Sequence, residues 1–511
     1  PIDASLDHEG VRLVNGRVVT SAEHKRVWSA FAAGGWPSLS VPVAQGGQGL
    51  PLLVQSACDE LFNRGSAAFS MLPTPARTGA LVLAEFADDA TSTAWGPKLA
   101  SGEWTATICI SEPDAGSDVG RIRTRATRDE AGTWRIDGEK AWISFGDHDL
   151  ASRIGHFMIA RSSPAVGVRG LSLFLVPSTT DDGGPNGVFV RRIEEKMGLH
   201  ASPTCMMGFE AAAATLIGAE GRGLQQLFTM ILRMRLSVGA EGIGVAARAF
   251  DVALDYARER KQGGASDQPP VAIINHVDIQ RQLLSMAGRV ETGRGLTLAA
   301  AAAMDLVERE TNLEKRAQLG DFVQWILPIV KDYGARTGFD VASEAIMLLG
   351  GAGYTREWPV EQAARDARVF AIFEGTSGIQ ALDMLHRRLW RDGGRGLAAF
   401  VALARADVAD VPAAAAAIER LQSISAQLVA WQSRPRNADA GAAHYLNLCA
   451  LAAAGWIAAR LLSVPEGPAA VRLRRAGRAF LTELPARVES EAMLALTGEA
   501  SMNGIEDLFD D

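Results

Sequence analysis

Three stretches of this sequence, 224–260, 277–309 and 315–349, place apolar residues at three- and four-residue spacing with charges on the opposite face. That spacing makes one side of a helix apolar, and stripes this long are buried only when helices lie side by side. A helix bundle is therefore expected over residues 216–395. The pattern changes near residues 103 and 215. Residues 1–103 read as helical, with an Ala/Leu-rich stretch at 79–86 after a Gly-rich turn at 46–49. Residues 396–511 read as further Ala-rich helices broken by Pro435 and Pro465, ending in an acidic, solvated tail over 503–511. No internal repeat stands out.

Between these helical blocks, residues 104–215 carry strand signals. Arg121, Arg123 and Arg125 alternate with Ile122, Thr124 and Ala126, the period of a strand with one polar and one packed face. Turn signals at Ala131-Gly132 and Asp137-Gly138 bracket a short run at 133–136, and apolar runs follow at 154–160 and 170–176. The strands are joined by hairpins rather than helices, so an antiparallel barrel or sandwich is expected over a doubly wound sheet. The fold class is α+β, with several domains.

Composition narrows the function by exclusion. Of 511 residues, 48% are hydrophobic and 22% charged, which fits a cored globular protein and excludes disorder over most of its length. A net charge of −8 gives no global attraction to nucleic acid. The longest apolar run, 448–459, falls short of the roughly 20 residues that cross a bilayer, so no membrane span is expected. Cys58, Cys109, Cys205 and Cys449 are far apart with no CxxC pair, which argues against zinc or a disulfide framework and for a reducing, cytoplasmic setting. The chain opens at Pro1, without Met, in what reads as a loop, so the natural start is expected upstream.

The motifs divide into one that fails and two that hold. Gly242-x-Gly244-x-x-Ala247 matches a dinucleotide fingerprint but lies inside a long helical pattern, where small residues serve close helix contact. The scattered histidines offer no metal site. The segment from Ser111 to Asp118, SEPDAGSD, is either a turn or a loop whose N–H groups and hydroxyls grip a phosphate or a heteroaromatic edge. The segment from Phe373 to Gln380, FEGTSGIQ, sets a carboxylate between an apolar strand-like run, 369–373, and a helix start capped by Thr376 or Ser377. Glu374 there either complements a helix N-terminus or, desolvated by Phe370, Ile372 and Phe373, is a base able to take a proton from carbon. Gly375 would let a ligand approach the backbone closely.

Together the two segments resemble signatures of the acyl-CoA dehydrogenase family, T-E-P-x-A-G-S-D and Y-E-G-T-x-x-I-Q. Gly138–Ser144 (GEKAWIS) is similar to the G-x-K-x-W-I-[TS] segment, 258–262 (RERKQ) to an R-x-R-K helix end, and 350–354 (GGAGY) to a G-G-x-G-[YF] turn. The resemblance covers at least 103–389. It implies a helical N-domain, an antiparallel β-barrel middle domain and a four-helix-bundle C-domain, here followed by an extra C-terminal helical domain. It also implies FAD, an acyl-CoA thioester substrate, a homodimer or dimer of dimers, and an electron-transferring flavoprotein as acceptor.

Residue by residue, the resemblance implies that Ile110, Ser111, Gly116, Ser117, Trp142, Ile143, Ser144, Arg260, Gly351 and Thr376 contact the cofactor. Ser111 would bond the flavin ring, Trp142 cover it, Ser144 approach the hydride-accepting nitrogen, and Arg260 reach the pyrophosphate in a neighbouring subunit. Ser117, Arg235, Phe373 and Gly375 would face the substrate. Glu374 would be the catalytic base, and its N–H would hold the thioester oxygen together with a flavin hydroxyl. Met234 occupies the place where a minority of the family carries the base, and it cannot serve. Phe373 replaces the usual Tyr, Met347 a frequent Gln, and Gln262-Gly263 a commoner Thr/Ser-Phe. The block beyond Leu389 and the stretch 196–205, with His200 and Cys205 in structural roles, resemble a long-form subgroup that includes 3-methylmercaptopropionyl-CoA dehydrogenases. An acyl-CoA oxidase using dioxygen and a catalytically silent scaffold are the alternatives.

Overall fold

The computed structural model describes residues 2–509; Pro1 and the tail's last two residues lie outside them. The chain divides into two units that meet in sequence at Met234 and Arg235. The first opens with α1 (Ile2–Glu9), where a loop was expected, and a ribbon of β1 (Arg12–Val14) and β2 (Arg17–Val19). Then come α2 (Ala22–Ala33), α3 (Leu52–Gly65), α4 (Ala67–Ser70), α5 (Pro73–Phe86) and α6 (Asp89–Ser101). Polar caps set their starts: Ser21 accepts the His24 N–H before α2, and Asp88 accepts the Thr91 N–H before α6.

The sheet comprises β3 (Trp104–Cys109), β4 (Arg125–Arg128), β5 (Trp134–Ser144), β6 (Arg153–Arg161), β7 (Leu171–Pro177), β8 (Val188–Ile193) and β9 (Thr204–Ile217). Its order is β3-β6-β4-β5-β9-β7, with β7 also paired to β6 and β8 to β9. The expectation of a wholly antiparallel sheet is corrected: β3 runs parallel to β6, and β4 meets β6 in parallel at Arg125 and Arg161. The β4–β5 hairpin intervenes in sequence between β3 and β6, so those two strands enter the sheet side by side in one direction. Two local expectations also change. Of 121–126 only Arg125 and Ala126 join a strand, because the Arg123 and Thr124 N–H groups donate to the Glu112 carboxylate, at 2.7 and 3.0 Å. Asp137-Gly138 is a bulge within β5 rather than a turn, with the Asp137 carboxylate accepting the Ala211 N–H at 2.8 Å.

Three histidines are buried in this first unit. His148 accepts the Leu150 N–H at Nδ1, so its Nε2–H donates to Thr105 Oγ1, at 2.9 Å. His156 Nδ1 meets Thr107 Oγ1 at 2.8 Å, and His24 packs against Phe69 and Phe145. Burial holds each imidazole down to about 4. Below pH 6.5 the unfolded chain therefore binds protons that the folded chain refuses, and stability falls as the pH drops toward 4. Each histidine puts up to about 3 kcal/mol at stake. Urea midpoints at pH 7, 5.5 and 4.5 should decline steeply; a flat series would contradict this account.

In the second unit the long helices are α7 (Gly223–Glu259), which begins in the first, α8 (Val277–Arg309) and α9 (Leu313–Leu349). These match the three apolar stripes. Gly242 lies inside α7, where a Cβ would fall 1.9 Å from the Gly334 carbonyl of α9, so its smallness serves a helix crossing and not a nucleotide. Next come α10 (Val360–Ala367), a 3-10 turn at Arg368–Ala371 in place of the strand-like run, α11 (Ser377–Leu382) and a π-helix at Asp383–Arg391. The extension holds α12 (Arg395–Val408), α13 (Pro412–Ala430), α14 (Pro435–Asp439), α15 (Ala442–Leu462) and α16 (Ala470–Ala495). At 21 residues α15 is long and apolar enough to cross a bilayer, so the length-based exclusion of a span does not hold. Most of α15 is nonetheless buried, with Leu448, Cys449 and Trp456 sealed inside the unit.

Candidate active site

In the first unit, β3 ends at Cys109 and delivers Ile110 and the Ser111–Asp118 loop. Glu112 and Ala115 close the loop on itself through two backbone hydrogen bonds of 3.1 Å. A buried ion pair then fastens it to β5. Lys140, fully buried, donates from Nζ to Glu112 Oε1 at 2.8 Å and to the Ile110 carbonyl at 2.9 Å, while the Ala141 N–H donates to the Ser111 carbonyl at 2.9 Å. Burial works to raise the Glu112 carboxyl, but the Lys140 charge and the N–H groups of Arg123 and Thr124 hold it below the usual range. Burial lowers the Lys140 ammonium, opposed by Glu112.

This staple sets the register at Trp142. Pairing of β5 with β9 shifts between Lys140 and Ile143, so Ala141 and Ile143 are buried while Trp142 stands 63% exposed at φ 64. A bulky residue in the left-handed region costs of order 1–3 kcal/mol and persists where surrounding structure enforces it. Ser111, at the start of the loop, and Ser144, at the end of β5, are half-buried, while Gly116 and Ser117 are exposed on the loop. None of the three serine hydroxyls has a hydrogen-bond partner among the described residues. An out-turned indole with unengaged hydroxyls on the same two segments fits a flat heteroaromatic group with polar edges.

In the second unit, Glu374 sits between the 3-10 turn Arg368–Ala371 and α11, at φ 56, followed by Gly375 at φ 88. Two successive left-handed residues turn the chain sharply. The side chain of Gln380, itself buried, donates to the Glu374 and Gly375 carbonyls at 3.1 and 3.2 Å, and Lys331 of α9 donates to the Gly375 carbonyl at 2.8 Å. The Glu374 N–H has no partner among the described residues. The residue is half-buried, and desolvation raises its carboxyl above the usual range, against the lowering charges of Arg235 and Lys331. Arg235, on α7, is buried and donates to Asp383 Oδ2 at 3.1 Å, with Arg388 at 3.6 Å on the same carboxylate. Its Nε is buried without a hydrogen bond. Phe373 packs edge-on against Phe370. A carboxylate with raised proton affinity, an unengaged N–H and buried cations can remove a proton from carbon beside a carbonyl whose oxygen gains charge.

Other anticipated residues lie elsewhere. Thr376 caps α11, accepting the Ile379 N–H at 3.3 Å. Arg260 and Gly351 are exposed and join no cluster around Glu374. Met347 is exposed, and His200 bridges Asp7 and the Lys196 carbonyl. Sequence reasoning passed over Glu112, Lys140, Lys331, Gln380 and Asp383. A signal was present for Lys331 alone, which follows the apolar run 325–330, whereas Lys140 sits beside Glu139 and gave none.

Models of the acyl-CoA dehydrogenase N-terminal, middle and C-terminal domains match residues 15–103, 107–212 and 221–389. A 3-methylmercaptopropionyl-CoA dehydrogenase from Ruegeria pomeroyi is 37% identical over 477 residues, 89% of this chain and 81% of that protein. The structure of Caenorhabditis elegans ACDH-11 in complex with C11-CoA superposes with a TM-score of 0.81 at 20% identity, covering 98% of this chain and 88% of the other. An acyl-CoA dehydrogenase complexed with FAD from Bacillus anthracis gives a TM-score of 0.76 at 20% identity, covering 95% and 85%.

Proposed function

Since the chain belongs to the acyl-CoA dehydrogenase family, FAD-binding oxidoreductases that act on CH–CH groups, we propose that it converts an acyl-CoA thioester to the trans-2-enoyl-CoA and hands the electrons to an electron-transferring flavoprotein. The observation that carries it is Glu374: a carboxylate on a strained backbone turn, with raised proton affinity beside two cations. Glu374 takes the proton α to the thioester carbonyl. Its own N–H faces the carbonyl oxygen as negative charge builds there, a contribution of about 3 kcal/mol for a well-placed donor. Arg235, neutralised by Asp383, keeps the base from rising too far. FAD, when bound, supplies the acceptor for the β-hydrogen, which leaves as hydride. Ile110, Ser111, Gly116, Ser117, Trp142, Ile143, Ser144, Arg260, Gly351 and Thr376 are the residues that would hold it.

The finer architecture follows the same proposal. The ring of pairings β6-β4-β5-β9-β7-β6 supports a small barrel, and α7, α8 and α9 supply three members of a four-helix bundle. The division at 103, 215 and 395 is proposed as the domain plan. Surface placement of Arg260 and Gly351 supports their reaching FAD in a second copy, in a dimer or larger assembly. Four free cysteines support a reducing cytoplasm.

The test is anaerobic bleaching of the bound flavin by a panel of short, branched, aromatic and methylthio acyl-CoAs, followed by reoxidation. Bleaching by at least one thioester, with reoxidation by electron-transferring flavoprotein rather than dioxygen, is expected. Absence of bleaching across the panel would remove the assignment, and stoichiometric peroxide would turn it into an oxidase.

A further inference from the structure

Lys331 is the least expected charge in the second unit. It lies midway along α9, wholly buried, between apolar neighbours Ile329 and Val330 and the Asp332 carboxylate. Burying an ammonium is costly unless it is paired or hydrogen-bonded. Its direct hydrogen bond runs to the Gly375 carbonyl, 2.8 Å away and 44 residues later in sequence. That carbonyl belongs to the second of two successive left-handed residues, and Gln380 supports the turn from the other side. A Cβ at Gly375 would come 2.8 Å from the Gln380 amide, so the turn has little slack.

Resting on the dehydrogenation proposed above, we infer that Lys331 is a positioning residue of that reaction: its ammonium clamps the Gly375 carbonyl, holds the strained Glu374–Gly375 turn, and keeps a positive charge beside the base. The geometry gives the clamp two separable consequences. It fixes where the Glu374 carboxylate and N–H stand, and it favours the ionised carboxylate by direct charge. The second follows from the charges around the pair: Arg235 of α7 and Lys331 of α9 act on Glu374, Asp332 and Glu241 act with Arg235 and Glu374 on Lys331, and Asp383 and Arg388 of the π-helix flank Arg235. Burial brings Lys331 itself down to about 8, so the clamp is charged at neutral pH and is relaxed in more alkaline solution.

Lys331→Met keeps the length and apolar fit while removing both donor and charge. In the FAD-loaded enzyme we expect unchanged flavin content, a KM within about threefold and a kcat about 10²-fold lower, the scale of a misplaced catalytic group. The acid limb of the kcat profile should move up by about one pH unit, as loss of a neighbouring cation disfavours the carboxylate. Lys331→Arg, which keeps charge and donor, should restore the limb. Amide exchange over residues 372–380 should quicken about tenfold in Lys331→Met with the rest of α9 unchanged. Lys331→Leu, which also lacks donor and charge, carries the same expectations and serves if the Met variant does not fold. A kcat loss with the acid limb unmoved would overturn the charge role, and unaltered exchange over 372–380 would overturn the clamp. The exchange measurement needs no turnover, so it judges the clamp even if no thioester bleaches the wild-type flavin.

Discussion

Glu374→Gln is expected to bind FAD and acyl-CoA as the wild type does while turnover falls by about 10²–10⁴-fold, the range for loss of a positioned general base. The substitution keeps the shape of the side chain and leaves its backbone turn in place, since Lys331 and Gln380 grip the Glu374 and Gly375 carbonyls and not the carboxylate. Nor does it strand a charge, because Arg235 keeps Asp383 and Lys331 keeps the Gly375 carbonyl. The amide has no basic oxygen with which to accept a carbon-bound proton at neutral pH. Rapid-mixing measurement of flavin bleaching in the variant separates this from a binding defect, as the spectral perturbation on adding acyl-CoA should persist while bleaching disappears. Turnover within tenfold of the wild type would move the base to another residue. In the wild type, activity should fall on the acid side at a pH above the ordinary carboxylate range, because desolvation raises Glu374 more than Arg235 and Lys331 lower it.

What the sequence revealed and what it concealed follow from the range of the forces involved. The helices α7, α8 and α9 were legible because a stripe at helical spacing is a local property repeated over many turns. The sheet was less so. Its parallel contacts β3–β6 and β4–β6 join segments tens of residues apart, and nothing at 121–126 announces that Glu112 will take the N–H groups a strand would use. The run at 369–373 is apolar enough for a strand, but the sharp left-handed turn at Glu374–Gly375 and the cap at Thr376 close it into a 3-10 turn instead. Among the candidate residues, Glu374, Arg235 and Trp142 were reached through motif order, whereas the groups that hold them in their own units were not. Lys331 meets Gly375, and Arg235 meets Asp383, across separations of 44 and 148 residues, beyond anything local spacing can encode. Both contacts satisfy buried charges, which is why an isolated Lys or Arg in an apolar helix signals a distant partner without naming it.

Lys140→Met should produce a large loss of stability in the first unit. Lys140 is sealed from solvent and Glu112 nearly so, and the pair ties the Ser111–Asp118 loop to the strand that carries Trp142. Removing one partner of a buried pair leaves the other charge uncompensated, at about 3–5 kcal/mol. Glu112 would keep only the Arg123 and Thr124 N–H groups. For a domain of this size the loss corresponds to a drop of roughly 10 °C in Tm. The same change leaves the loop tied to β5, among the described residues, by the Ala141 N–H to Ser111 carbonyl bond alone, so the spacing of the exposed Trp142 and the Ser111 hydroxyl loosens and flavin retention on gel filtration should fall with the Tm. Pairing it with Glu112→Gln separates the two effects. With both charges gone the buried-charge penalty disappears and Tm should recover in part, whereas flavin retention should not, because the amide cannot restore the staple between loop and strand. A Lys140→Met protein with unchanged Tm and a full flavin complement would show that backbone pairing alone holds these segments; a double variant recovering both quantities would show that the pair acts on stability without positioning the cofactor-facing residues.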